Sequence, residues 1–331
     1  MKIVPTLKTL LLFQKNQLGT GGSRLGLSTN NKITVENLLY GLLMVSGNDA
    51  AVALAEFIGG SVSGFADMMN SKASELNLTS THFVSPHGLD NDEHYTTAYD
   101  LAILADYALK NTTFSKIVNT AVHTVYIDGK TKSLHNTNEL LGNLEGVYGV
   151  KTGFTNGANR CLVTSCKRGN LDIICVVLGC DTKKNRTLDS INLINYVFNN
   201  FTSINIQSII DKNFESWKNE HSSFTINKGK SSYLALYLKR EQIPYENIAI
   251  NNSNLNNITT PISFSSEFNA PINENSIIGR MDICINNTTY FYVDILNKNF
   301  IEKKDIIYYL NTFIKNYFSY FEIPSYNVTN Y

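Results

Sequence analysis

Apolar residues recur at helical spacing over residues 34–59, where Val35, Leu38, Leu39, Leu42, Leu43 and Met44 form one broad face behind Thr34, a residue suited to cap a helix. Ser46-Gly47-Asn48 interrupts the pattern before it resumes from Ala50 to Ile58, so two helices with a break between them are predicted. A second helical pair is predicted at residues 65–76 and 97–109. The latter opens on Thr97-x-x-Asp100, the spacing of a capping box with Asp in place of Glu or Gln. From Val122 the period falls to two. Residues 122–127 read as a strand, Asp128-Gly129 as a hairpin turn and residues 148–152 as another strand. Residues 161–166 and 173–178 read as a hairpin joined through Lys167-Arg168-Gly169-Asn170. Leu188, Ile191, Ile194, Val197, Phe198 and Phe201 then give a helix to cover one face of that sheet.

Past Phe201 the composition shifts towards Asn, Ser and Ile, and short alternating runs separated by polar turns predict a small all-β domain over residues 202–302. Residues 303–321 return to a helical period. Ile306, Ile307, Leu310, Phe313, Ile314, Tyr317, Phe318 and Phe321 share one face, which reads as docked core, with a membrane surface as the alternative. The fold class is α/β.

Composition narrows the chemistry. With 331 residues, 43% hydrophobic and 17% charged, the chain is long enough for two domains. Lys+Arg and Asp+Glu are both 28, without a basic cluster, so no nucleic-acid footprint is expected. The five cysteines form no C-x-x-C pair, and Cys161, Cys166, Cys175 and Cys180 in strand-like runs are expected to act as small buried hydrophobes. His82, His87 and His94 match no common metal-ligand spacing, so neither a metal nor a cofactor is expected. Residues 1–13 make a poor signal peptide because Pro5 and Lys8 break the apolar run.

The candidate chemistry sits at Val147-Tyr-Gly-Val-Lys-Thr-Gly-Phe-Thr-Asn-Gly157. Here Lys151, Thr152 and Gly153 set a cation and a hydroxyl beside backbone that a ligand can approach closely, as a peptide carboxylate requires. Together with the upstream Ser46-Gly47-Asn48, the Gly19-Thr-Gly-Gly-Ser-Arg-Leu-Gly-Leu27 loop and Pro86-His-Gly-Leu89, this stretch resembles the sporulation-type serine D-Ala-D-Ala carboxypeptidases of Gram-positive bacteria. These are penicillin-binding proteins of peptidase family S11. The resemblance implies a β-lactamase/transpeptidase-like domain over residues 19–201, N-terminally truncated, then the β-rich domain and the amphipathic tail of residues 303–331. It implies trimming of D-Ala from peptidoglycan stem peptides through an acyl-enzyme, β-lactam binding in a complete protein, and the outer face of the cytoplasmic membrane as its place. By the same resemblance Ser46 relays a proton to the leaving D-Ala, and Asn48 bonds the substrate backbone. Lys151, Thr152 and Gly153 hold the terminal carboxylate, and the amide of Phe154 supplies half of an oxyanion hole.

The family's third signature, the Ser-x-x-Lys that carries nucleophile and base, occurs nowhere in the 331 residues. Ser23 belongs to the Gly-Gly-Ser loop and is not a displaced nucleophile. Residues 1–18 do not match the family and are expected to be an out-of-frame or non-family segment, with Met1 an internal start and Ser-x-x-Lys encoded upstream. The chain as written is then expected to be inactive. A non-catalytic domain that binds wall peptide or partner proteins is the alternative, and a β-lactamase is disfavoured because the likeness extends into the β-rich second domain.

Overall fold

The computed structural model describes residues 6–13 and 20–319 of the chain, which divides into two compact units, Met1–Asn199 and Asn200–Tyr331. In the first, β1 (Leu10–Leu12) pairs antiparallel with β2 (Lys32–Thr34), and Phe13 lies 1% exposed in a core with Leu25, Ile33, Leu38 and Met44. Residues 10–13 are therefore built into the unit. Of the segment expected to be out-of-frame or non-family, residues 1–5 and 14–18 lie outside the described residues.

Four helices follow, as the periodicity requires: α1 (Val35–Val45), α2 (Asn48–Gly59), α3 (Val62–Glu75) and α4 (Ala98–Leu109). Thr34 caps α1 by accepting the Asn37 N–H, and Thr97 caps α4 by accepting that of Asp100 at 3.1 Å. The capping box is only half made. Asp100 turns instead to the Ser80 N–H and the Thr81 hydroxyl, at 3.0 and 2.7 Å, and so ties the preceding loop to α4. The short α5 (Thr112–Val118) was not predicted, because seven residues are too few to display a period. Its cap, Asn111, accepts from both Thr113 and Phe114.

β3 (Val122–Ile127) and β4 (Lys130–His135) form the expected hairpin, with Asp128 and Gly129 at φ 49° and 75°. Such angles fit a two-residue turn that follows the strand twist. A three-stranded antiparallel sheet comes next, ordered β5 (Val147–Thr155), β6 (Asn159–Arg168) and β7 (Leu171–Cys180), and α6 (Lys183–Asn200) covers it. Ile191, Ile194 and Phe198 of α6 meet Leu162, Cys166, Cys175 and Val177 of the sheet. Leu188 was expected on that face but is 47% exposed. Cys166 and Cys175 are buried as expected, whereas Cys161 and Cys180 are only half-buried near the strand ends.

The second unit holds β8 (Phe201–Asn205), α7 (Ile206–Glu220), β9 (Thr225–Asn227), β10 (Leu236–Leu238), β11 (Asn247–Asn251), β12 (Ile258–Thr259), β13 (Ile262–Phe264), β14 (Glu267–Asn269), β15 (Ile277–Ile285), β16 (Thr288–Asn297) and α8 (Ile306–Ser319). Its largest sheet runs β10-β16-β15-β12, with β13 also on β15. The expectation of an all-β unit is corrected by α7. Its Ile206, Ile210 and Phe214 share a core with Met281, Ile283, Val293 and Ile295 of the sheet, at a spacing that the polar composition of the region obscures. The docked-core reading of the tail is also corrected: Ile306, Leu310, Phe313 and Phe318 of α8 are 85, 58, 67 and 64% exposed. Among the described residues no single helix is long and apolar enough to cross a membrane.

Candidate active site

The break between α1 and α2 places the first candidate group. Ser46 closes α1 in the left-handed region, at φ 56° and ψ 40°, with its N–H on the Gly41 carbonyl. A side chain there is strained by of order 1 kcal/mol, and the reward is a serine hydroxyl aimed out of the helix end. The turn is tight because a loop passes close by. A Cβ on Gly41 would meet the Leu25 side chain at 2.5 Å, and one on Gly47 would meet the Leu25 nitrogen at 3.0 Å.

That loop is held by the residue that follows the Ser-Gly-Asn. Asp49 is fully buried and accepts the N–H groups of Leu25, Gly26 and Leu27 at 2.8, 2.9 and 3.0 Å, with Arg24 3.8 Å away. Asn48 completes the clasp, its N–H on the Ser23 carbonyl at 2.9 Å and its side-chain amide on the Gly21 carbonyl at 2.7 Å.

The second group comes from β5. Lys151 extends from the strand so that its ammonium donates to the Ser46 hydroxyl and, at 2.9 Å, to the Thr152 carbonyl. Enclosure of that ammonium pushes its pKa down to about 8, since burial disfavours the charged form. The Thr152 and Thr137 hydroxyls lie 2.7 Å apart. Thus Ser46 at the end of α1 meets Lys151 of β5, and the neighbouring Thr152 hydroxyl pairs with Thr137. Gly153 pairs with Cys161 on β6, and Phe154, 52% exposed, follows it.

Four positions that bind this arrangement together were not singled out in the sequence. Asn136-Thr137-Asn138 works as a clip: Thr137 donates its N–H to the Met44 carbonyl at 3.0 Å, and the buried Asn138 amide donates to the Gly149 carbonyl at 3.0 Å. One turn thereby reaches both the end of α1 and the start of β5. Its legible signal was an Asx-rich turn between two strand patterns. Asp90, in the loop of residues 82–94, accepts the Gly157 N–H at 3.1 Å. The Thr155 hydroxyl and two backbone N–H groups hold its carboxyl below the usual carboxylate range.

The three loop histidines do not assemble a ligand set. The Nδ1 atoms of His87 and His94 accept the N–H groups of Leu89 and Val84, each at 3.2 Å, and burial lowers both pKa values. Among the described residues no three His, Cys, Asp or Glu side chains are grouped to hold a metal.

The family pattern described as D-alanyl-D-alanine carboxypeptidase, peptidase S11, matches residues 12–182. The D-alanyl-D-alanine carboxypeptidase DacF of Bacillus subtilis is 34% identical over 264 residues, covering 79% of this chain and 64% of the relative. A D-alanyl-D-alanine carboxypeptidase of Streptomyces is 38% identical over 188 residues, 53% of this chain and 65% of its own length. The chain thus spans 64 to 65% of the length of these curated relatives. Among solved structures, penicillin binding protein 5 of Haemophilus influenzae superposes with a TM-score of 0.69 at 25% identity, over 90% of this chain and 84% of that one. A Streptomyces DD-transpeptidase gives 0.56 at 34% identity, over 59% and 80%.

Proposed function

Since the chain belongs to the D-alanyl-D-alanine carboxypeptidase family, peptidase S11, we propose that its first unit is the transpeptidase-like domain and that it recognises peptidoglycan stem peptides ending in D-Ala-D-Ala. The observation that carries this reading is the meeting of Ser46 with Lys151, next to Thr152 on the same strand. An ammonium held at a fixed point beside a threonine hydroxyl suits one oxygen pair, a terminal carboxylate. Lys151 takes the charge and Thr152 donates a hydrogen bond, with Thr137 orienting the hydroxyl. Asn48 has one amide hydrogen committed to the Gly21 carbonyl, and its side-chain oxygen accepts from the peptide backbone. The Phe154 N–H faces the scissile carbonyl oxygen as one oxyanion donor.

Alongside a Ser-x-x-Lys pair, Ser46 would pass a proton to the departing D-Ala amine, drawn from the Lys151 ammonium. A lysine that titrates near 8 gives up a proton more readily than one at 10.5. Acyl transfer itself needs the Ser-x-x-Lys pair. The polypeptide of these 331 residues holds none, so for it we propose recognition without an acyl-enzyme. This is also why the alternative, a non-catalytic domain for wall peptide, keeps its place. The second unit and the exposed apolar face of α8 fit a cell-envelope protein that rests on a membrane surface.

The test is a titration of the purified chain with an N-acylated peptide ending in D-Ala-D-Ala and with the same peptide as its C-terminal amide, alongside exposure to fluorescent penicillin. We expect the acid to bind, the amide and Lys151→Ala to lose at least about tenfold in affinity, and no covalent label. Equal affinity for acid and amide would end the assignment of Lys151 and Thr152. Stoichiometric labelling would require another nucleophile.

A further inference from the structure

The two contacts assigned on β5 also fix the direction in which a bound peptide runs. With the carboxylate at Lys151 and Thr152 and the scissile carbonyl at the Phe154 N–H, the chain passes along β5 from its C-terminal end towards Phe154. The residue before the two D-Ala units is then carried past Phe154. Two strand residues advance about 7 Å, enough for that third side chain to arrive there.

What it meets is Arg160. In the β5–β6 register Phe154 stands opposite Arg160, and the guanidinium lies over the Phe154 ring with its carbon 3.7 Å from the centroid. Stacking of this kind orients the planar fork and leaves its N–H edge free. Among the described residues no carboxylate lies within 4.0 Å of Arg160. The acid at the hairpin tip, Asp90, is already engaged by Gly157 and Thr155. An oriented guanidinium with no carboxylate partner, beside a peptide track, is matched by one planar group, a carboxylate.

We propose that Arg160 is a specificity residue that selects stem peptides whose third residue from the C-terminus carries a free side-chain carboxylate, over those in which that group is an amide or an amine. The assignment rests on the reading of Lys151, Thr152 and Phe154 given above. Arg160 takes no part in bond making; it acts on which peptide is held.

The experiment is calorimetric titration of the full chain with three N-acetylated tripeptides ending in D-Ala-D-Ala, whose first residue bears a side-chain carboxylate, its primary amide or an amine. The carboxylate peptide is expected to bind about tenfold more tightly than the amide peptide, the yield of one charge-assisted hydrogen-bond pair. Added salt should shrink that ratio. Arg160→Gln should bring the ratio to within about twofold while leaving affinity for the amide peptide as it was, and Arg160→Lys should keep part of it. A ratio near one in the unaltered chain, or one that survives Arg160→Gln, overturns the proposal. Binding that depends on Lys151 but ignores the third side chain retires Arg160 alone, whereas no binding of any of the three retires the parent reading with it.

Discussion

At the residue scale the decisive group is Lys151, because its half-buried ammonium is held between the Ser46 hydroxyl and the Thr152 carbonyl. A lysine whose folded pKa sits at about 8 instead of 10.5 is protonated below that value and neutral above it. The unfolded chain binds the extra proton between about 8 and 10.5, so this group makes stability rise with pH across that window and costs stability below it. Ligand binding runs the other way. Affinity for a D-Ala-D-Ala carboxylate is expected to be full near pH 6 and to fall as pH rises through 8, by about tenfold at one unit above the pKa. Affinity unchanged between pH 6 and pH 9.5 would show that the ammonium does not hold the carboxylate. Asp49 works by geometry alone. Fully buried and accepting three successive backbone N–H groups, it has no replacement within reach, so Asp49→Ala is expected to cost about 3 kcal/mol in denaturant unfolding. A loss under about 1 kcal/mol would mean that the loop of residues 20–27 finds other partners.

At the element scale the contrast between α7 and α8 is instructive, since both carry an apolar stripe of helical period. Ile206, Ile210 and Phe214 of α7 are 0, 0 and 4% exposed, whereas the stripe of α8 is in the open. An uncovered row of Ile, Leu, Phe and Tyr side chains is unfavourable in water, and a lipid interface removes that cost. Removal of residues 303–331 is therefore expected to abolish sedimentation of the chain with lipid vesicles and to leave the circular dichroism of the remaining helices and strands in place. Undiminished co-sedimentation of the shortened chain would place any lipid contact elsewhere.

At the scale of the whole molecule, the chain divides between Asn199 and Asn200, and each unit owns a core. The single tryptophan, Trp217, belongs to the second, packed among Phe214, His221, Phe224 and Phe264. It reports on that unit alone. A polypeptide of residues 200–331 is expected to show the same blue-shifted Trp217 emission as the full chain and to lose it in one cooperative step on heating. Emission typical of exposed indole in that polypeptide would show that the second unit depends on the first.

Much of this was legible from local order. Helix breaks, caps and hairpins are decided within a few residues, so the interruption at Ser46-Gly47-Asn48, the Asp128-Gly129 turn and the β6–β7 hairpin could be read directly, as could the family through its motifs. The sequence also offered Lys151 and Thr152, in a Gly-flanked strand, as a cation and a hydroxyl suited to a carboxylate. What only the tertiary structure decided are relations between distant positions. That Ser46 meets Lys151, that Asp49 holds residues 25–27, that Asn136-Thr137-Asn138 joins α1 to β5 and that Arg160 lies on Phe154 all depend on how segments pack. The same holds for the two stripes. Period alone states that a helix has an apolar face, and burial of that face is a property of its neighbours, which no single segment encodes.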